Sequence, residues 1–130
     1  MSSSASVLVS EELLQAVFEG ARRLHPRELI LLLRGNKKKN VIEVSEVVVP
    51  PLATYGSGFA GIRLHMLPMD FSIVGTLHSH PSGNLTPSST DLNHFLGVVL
   101  VIVGFPFADE KNVAVYNRDG EKLALQIMKP

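Results

Sequence analysis

"HSHPSGNLTPSSTD" (78–91) follows the apolar run "FSIVGTL" (71–77) and puts two histidines, two prolines, one glycine, six hydroxyl side chains and one aspartate into fourteen positions. Turn chemistry accounts for the Pro, Gly, Asn and Ser residues, which punctuate backbone between regular elements. It does not account for His-x-His. Residues two apart on an extended strand end share a face, so His78 and His80 can reach one ion. Thr86 is the expected N-cap of a helix with Pro87 at its first position, which places Asp91 one turn in. Ser88 precedes Asp91 by three residues, on nearly the same helical face, and the glycine and proline before it can fold the helix start over the strand end. Two neutral imidazoles and one carboxylate make a three-ligand set that leaves a fourth zinc position to water. Iron and manganese suit the same donors. Alone, His-x-His reads equally well as two surface histidines; the continuation to Asp91 favours the metal.

Outward from this stretch, Ser10 caps a helix whose first turn carries Glu11 and Glu12, with Leu13, Val17, Ala21 and Leu24 at helical spacing up to "HP" (25–26). "ELILLLRG" (28–35) and the β-branched "VIEVSEVVVP" (41–50) read as neighbouring strands joined by the hairpin loop "GNKKKN" (35–40). "YGSGFAG" (55–61) reads as a mobile loop and "IRLHML" (62–67) as a short strand. "VVLVIVGFPF" (98–107) lacks polar alternation and reads as a central strand buried on both faces. "NVAVYNRDGEKLALQIM" (112–128) reads as a closing hairpin turning at "NRDG", with Gly120 in a left-handed position.

The 130 residues suit one domain spanning 1–130, with residues 1–5 flexible. A 45% hydrophobic share supplies a core, and twelve basic side chains balance twelve acidic ones, so bulk charge draws the chain to neither nucleic acid nor membrane. The basic "NKKKN" (36–40) reads as a solvated loop tip. Absence of cysteine excludes disulfides, thiolate zinc sites, a cysteine nucleophile and the usual zinc deaminase ligands together. No signal-like or membrane-length apolar segment stands out, so a cytoplasmic location is expected.

A metal-activated water needs a base. Glu28 opens an apolar strand, where a carboxylate is costly unless it is used. A charge at a strand's solvated end explains it too, and spacing alone slightly favours that explanation. His25, His65 and His94 read as helix-end, surface and helix-surface residues, outside the catalytic set.

The quoted stretch resembles the JAMM (MPN-plus) metalloprotease signature: HxH, seven residues, Ser, two residues and Asp, met by His78, His80, Ser88 and Asp91. "HPRELILLLRG" (25–35) resembles the family's upstream glutamate segment and thereby assigns Glu28 as the base. The resemblance implies an α/β fold of the JAMM (MPN, cytidine-deaminase-like) type, with a central mixed, mainly antiparallel sheet flanked by two main helices. It implies one Zn2+ held by His78, His80 and Asp91 with water as fourth ligand. Glu28 then works as general base and acid, and Ser88 donates to the oxyanion.

The implied activity is that of a deubiquitinase-like isopeptidase or peptidase cutting after the C-terminal Gly-Gly of ubiquitin or a ubiquitin-like modifier. A proteasome-like partner is compatible with it, and Gly56–Leu67 is the expected edge for the extended tail. The chain is similar to the compact prokaryotic and archaeal members. Two alternatives stand beside it: a noncatalytic MPN-like scaffold, and a zinc hydrolase of another amide such as a sulfur-carrier precursor.

Overall fold

A computed structural model describes residues 5–50, 72–93 and 97–130. Its elements in chain order are β1 (Ser6–Ser10), α1 (Glu11–Leu24), β2 (Ile30–Lys38), β3 (Val41–Val48), β4 (Ile73–His80), α2 (Ser89–Asn93), β5 (Val99–Gly104), a 3-10 turn (Glu110–Asn112), β6 (Val113–Tyr116) and β7 (Lys122–Met128). The expected loop 55–61, strand 62–67, tail edge 56–67, His65, His94 and the first four residues lie outside the described residues.

The expected helix is there, with its cap: Ser10 Oγ accepts from Leu13 N at 3.1 Å, and Glu11 and Glu12 sit where the helix dipole favours anions. Its buried stripe is Leu14, Val17, Phe18 and Ala21. β2 and β3 form the expected hairpin, but the strands extend into "GNKKKN": Lys37 pairs with Ile42 and Lys38 with Val41, which confines the turn to Lys39 and Asn40. Ladder pairing at a hairpin tip tolerates lysines because their charged ends stay in water.

Among the described residues the strands run in the order β1-β3-β2-β4-β5-β6-β7 and close into a barrel, because β1 pairs parallel with both β3 and β7. β4 and β5 are also parallel, and the remaining four pairs are antiparallel. The sheet is therefore mixed and mainly antiparallel, as expected, with two helices. β1 was not foreseen, since its five residues follow a serine-rich start and become a strand only through partners far away in sequence.

The two faces of the central strands have different tasks. Leu29, Leu31, Leu33, Val99, Val101, Val103, Val113 and Val115 join the α1 stripe in one core. Such burial is worth about 1.5–3 kcal/mol per large aliphatic side chain. The alternate positions of β5 and β6, Leu100, Ile102, Ala114 and Tyr116, form a second small cluster that Leu85 and Leu92 pack against. The loop after β4 and the helix α2 are thereby fastened on the face that His78 shares with Ile30 and Ile102, its neighbours in β2 and β5.

Candidate metal centre

The last strand residues of β4 point His78 and His80 to this second face. His78 is 1% exposed, and Asp91, from α2, is 7% exposed. The Asp91 carboxylate reaches both rings: Oδ1 lies 3.5 Å from His78 Nδ1 and Oδ2 lies 3.2 Å from His80 Nε2. Serine 88 and Asp91 are tied reciprocally, with Ser88 N donating to Asp91 Oδ2 at 2.8 Å and Asp91 N donating to Ser88 Oγ at 3.0 Å. This exchange is a capping box of the Ser-x-x-acid kind. It corrects the expected cap: the helix begins at Ser89 under Ser88, and Thr86 stays in the loop, its N–H held by Asn84 Oδ1 at 2.9 Å. Two competing side-chain bonds to backbone outweigh the proline signal at 87.

Two residues that sequence reading passed over position the site. The Asn84 carbonyl oxygen lies 2.6 Å from His80 Nδ1. With Nδ1–H donated there, Nε2 turns to Asp91: the charged ring donates to the carboxylate, and once that proton is lost Nε2 is the nitrogen left for a metal. Ser79, between the two histidines, takes the Leu29 N–H on its Oγ at 2.7 Å, while Ser79 N donates to Leu29 O at 2.9 Å. These bonds fasten the backbone next to Glu28 to the histidine strand. Asn84 carried an Asx-turn signal; Ser79 carried none. A third bond, Tyr116 OH to Leu85 O at 2.7 Å, holds the intervening loop on β6.

Electrostatics follow from this packing. Burial lowers the His78 pKa from 6.5 to about 4, keeping the ring neutral. His80 is raised, chiefly by its hydrogen bond to Asp91. Burial pushes the Asp91 carboxyl up, but the hydrogen bonds from His80 and Ser88 and the two imidazoles outweigh it and bring it down to about 2. Glu28 is half-buried; desolvation raises its carboxyl, with His80 pulling it down and Asp91 pushing it up. Its charge is thus felt at the centre, while four of the five expected site residues touch one another directly.

Among the described residues no preformed metal-holding group of three or more acidic or histidine side chains stands open; the three donors bridge each other instead. The donor types nevertheless suit an ion: two imidazoles and one carboxylate are ligands that zinc takes, and Asp91 turns one oxygen to each ring, Oδ1 3.5 Å from His78 Nδ1 and Oδ2 3.2 Å from His80 Nε2.

Residues 10–118 match the family of prokaryotic homologs of the JAB domain. A probable metalloprotease of Haloferax volcanii is 32% identical over 127 residues, covering 92% of this chain and 78% of its own length. A JAB1/MPN domain protein from Archaeoglobus fulgidus superposes with a TM-score of 0.65 at 33% identity, over 92% of this chain and 97% of that one. A structure described as a JAMM, a metalloprotease-like zinc site in the proteasome and signalosome, gives a TM-score of 0.64 at 30% identity, over 96% and 98%. The fold and the residues collected on it define a metalloprotease-like class of the JAMM/MPN type. Within that class, the chain belongs to the prokaryotic JAB-domain family.

Proposed function

We propose that the chain is a zinc-dependent peptidase or isopeptidase that cuts after the C-terminal Gly-Gly of a ubiquitin-like modifier, with His78, His80 and Asp91 holding one Zn2+ and water as its fourth ligand. The observation that carries this reading is the convergence of Asp91 on both imidazoles, at 3.2 and 3.5 Å, beside Ser88. Zinc bound there supplies Lewis acidity and makes water a nucleophile near neutral pH. Glu28 would serve as the general base for the attacking water and then as the acid toward the leaving nitrogen, and its raised pKa suits a group that must accept and then give up a proton. Ser88 Oγ already accepts from Asp91 N. Its hydroxyl hydrogen therefore remains to be donated to the oxygen of the scissile carbonyl as charge develops.

The modifier part of the reading draws support from the relative described in the proteasome and signalosome, and a proteasome-like partner and cytoplasmic location belong to the same proposal. Among the described residues no helix is long and apolar enough to cross a membrane. The test is cleavage of a ubiquitin-like fusion extended past Gly-Gly, read by mass spectrometry, with zinc-loaded wild type beside Glu28→Gln and a chelated sample. Cleavage after Gly-Gly that both controls abolish supports the proposal. A zinc-loaded wild type that leaves the fusion and a lysine-linked conjugate intact sinks the modifier reading and favours another amide, such as a sulfur-carrier precursor.

A further inference from the structure

The antiparallel ladder between β2 and β4 ends in an irregular step beside Glu28. Its last pair is Ile30 with His78, so the same register sets Leu29 opposite Ser79 and Glu28 opposite His80. In an antiparallel hydrogen-bonded pair the two opposed residues exchange both main-chain bonds. Leu29 and Ser79 exchange only one. Ser79 N donates to Leu29 O at 2.9 Å, but Leu29 N donates to Ser79 Oγ at 2.7 Å rather than to the Ser79 carbonyl. Ser79 is 1% exposed and Leu29 7%, so both groups settle this exchange away from water.

The change of acceptor acts on Glu28 through one planar unit. Leu29 N belongs to the peptide group that starts at the Glu28 carbonyl, and a peptide group turns as a rigid plane. Moving its N–H from a carbonyl to a hydroxyl tilts that plane, and with it the direction in which the Glu28 side chain leaves the backbone. Residues opposed across a ladder share a face, so this direction is toward the face of His80. His80 and Asp91 both act on the charge of the Glu28 carboxyl, which agrees with that placement. Strand alternation turns the Ser79 side chain away from the face of the imidazoles, so its effect on the centre is indirect.

We propose that Ser79 is the positioning residue for Glu28: its hydroxyl takes the Leu29 N–H in place of its carbonyl, stops the ladder at Ile30 and His78, and aims the Glu28 carboxylate at the centre. This rests on the peptidase reading, in which Glu28 moves the protons. Without the hydroxyl, the buried Leu29 N–H has one acceptor left at hand, the Ser79 carbonyl, and a buried donor left unpaired is costly. Ser79→Ala therefore closes one more pair of the ladder. The fold and the three metal donors stay, while Glu28 is re-aimed. A reacting group misplaced by about 1 Å costs about a hundredfold in rate.

The test pairs a structural readout with a kinetic one. Residual dipolar couplings of the backbone N–H groups compare zinc-loaded wild type, Ser79→Ala and Ser79→Thr, with zinc content and thermal melting checked on each. The expected result is a reoriented Leu29 N–H in Ser79→Ala alone, with the N–H vectors of His78 and His80 and the zinc content as in wild type. On the Gly-Gly fusion, Ser79→Ala lowers kcat about tenfold to a hundredfold with KM unchanged, and Ser79→Thr, which keeps the hydroxyl, restores it. In a Glu28→Gln background Ser79→Ala causes no further loss, because it acts through that carboxylate. An unmoved Leu29 N–H or an unchanged kcat in Ser79→Ala, or a loss that adds in full to that of Glu28→Gln, overturns the proposal. A Leu29 N–H that moves in a protein whose zinc-loaded wild-type form cleaves no substrate refutes the peptidase reading alone and leaves Ser79 as the residue that sets the direction of Glu28.

Discussion

Acidification of the metal-free protein isolates one residue, His78. Its ring is 1% exposed and its pKa falls from 6.5 to about 4 because burial disfavours the cation. A group whose pKa is lower in the folded state contributes stability that is present above its unfolded pKa and lost as pH falls toward the folded one. His78 therefore adds its full share above about pH 6.5 and loses it on the way to about pH 4. At 1.36 kcal/mol per unit, the loss attributable to this ring is about 2 kcal/mol by pH 5 and about 3 kcal/mol by pH 4. His80 works in the opposite direction: its raised pKa adds stability at low pH that disappears as pH rises through the folded value. Comparison with a variant removes that opposing contribution. Urea midpoints by far-ultraviolet circular dichroism, taken with chelator at neutral pH and near pH 5, give wild type minus His78→Gln. The expected difference shrinks in favour of the variant by about 2 kcal/mol across that interval. Parallel loss of stability in both proteins would refute the claim that His78 is held neutral by burial.

Further outcomes follow from the hydrogen bonds around the centre. Asp91→Asn removes the carboxylate that raises His80, so the His80 pKa, followed by the ring proton shifts in nuclear magnetic resonance, should fall. Ser88→Ala should lower kcat about a hundredfold through the lost oxyanion donor, and stability by about 1 kcal/mol through the lost cap of α2; Ser88→Thr should restore the stability. Tyr116→Phe removes the 2.7 Å bond to Leu85 O and should cost about 1 kcal/mol, with faster amide exchange confined to the loop after β4. Gly83→Ala, at φ of 84° and facing Phe105 O, should destabilise by about 1 kcal/mol or more in thermal melts.

What the chain states locally was readable. The His78–Asp91 stretch carries its own strand end, turn and helix start, so the collection of four site residues could be foreseen from one short segment. Ser10 and Gly120 were equally local, and both perform the cap and turn expected of them. What depended on distant partners was not readable. β1 needs β3 and β7 beside it before "SVLVS" becomes a strand. Spacing could not tell Glu28 from a solvated strand end, and the bond that ties its neighbour Leu29 to Ser79, fifty residues away, left no mark in either segment. The cap at Ser88 rather than Thr86 was decided by which side chain had a free backbone N–H to accept, a competition between alternatives each allowed by the sequence.

His78, His80 and Asp91 are proposed to hold one ion together and leave a position to water. X-ray absorption at the zinc edge, with metal content measured on the same samples, addresses this proposal most directly. The expected result is one zinc per chain with two imidazole nitrogens and two oxygens at about 2.0–2.2 Å. One oxygen belongs to Asp91 and one to water, and binding should weaken sharply in His78→Ala, His80→Ala and Asp91→Ala. Zinc bound equally well by all three variants, or none bound by the wild type, would exclude this ligand set.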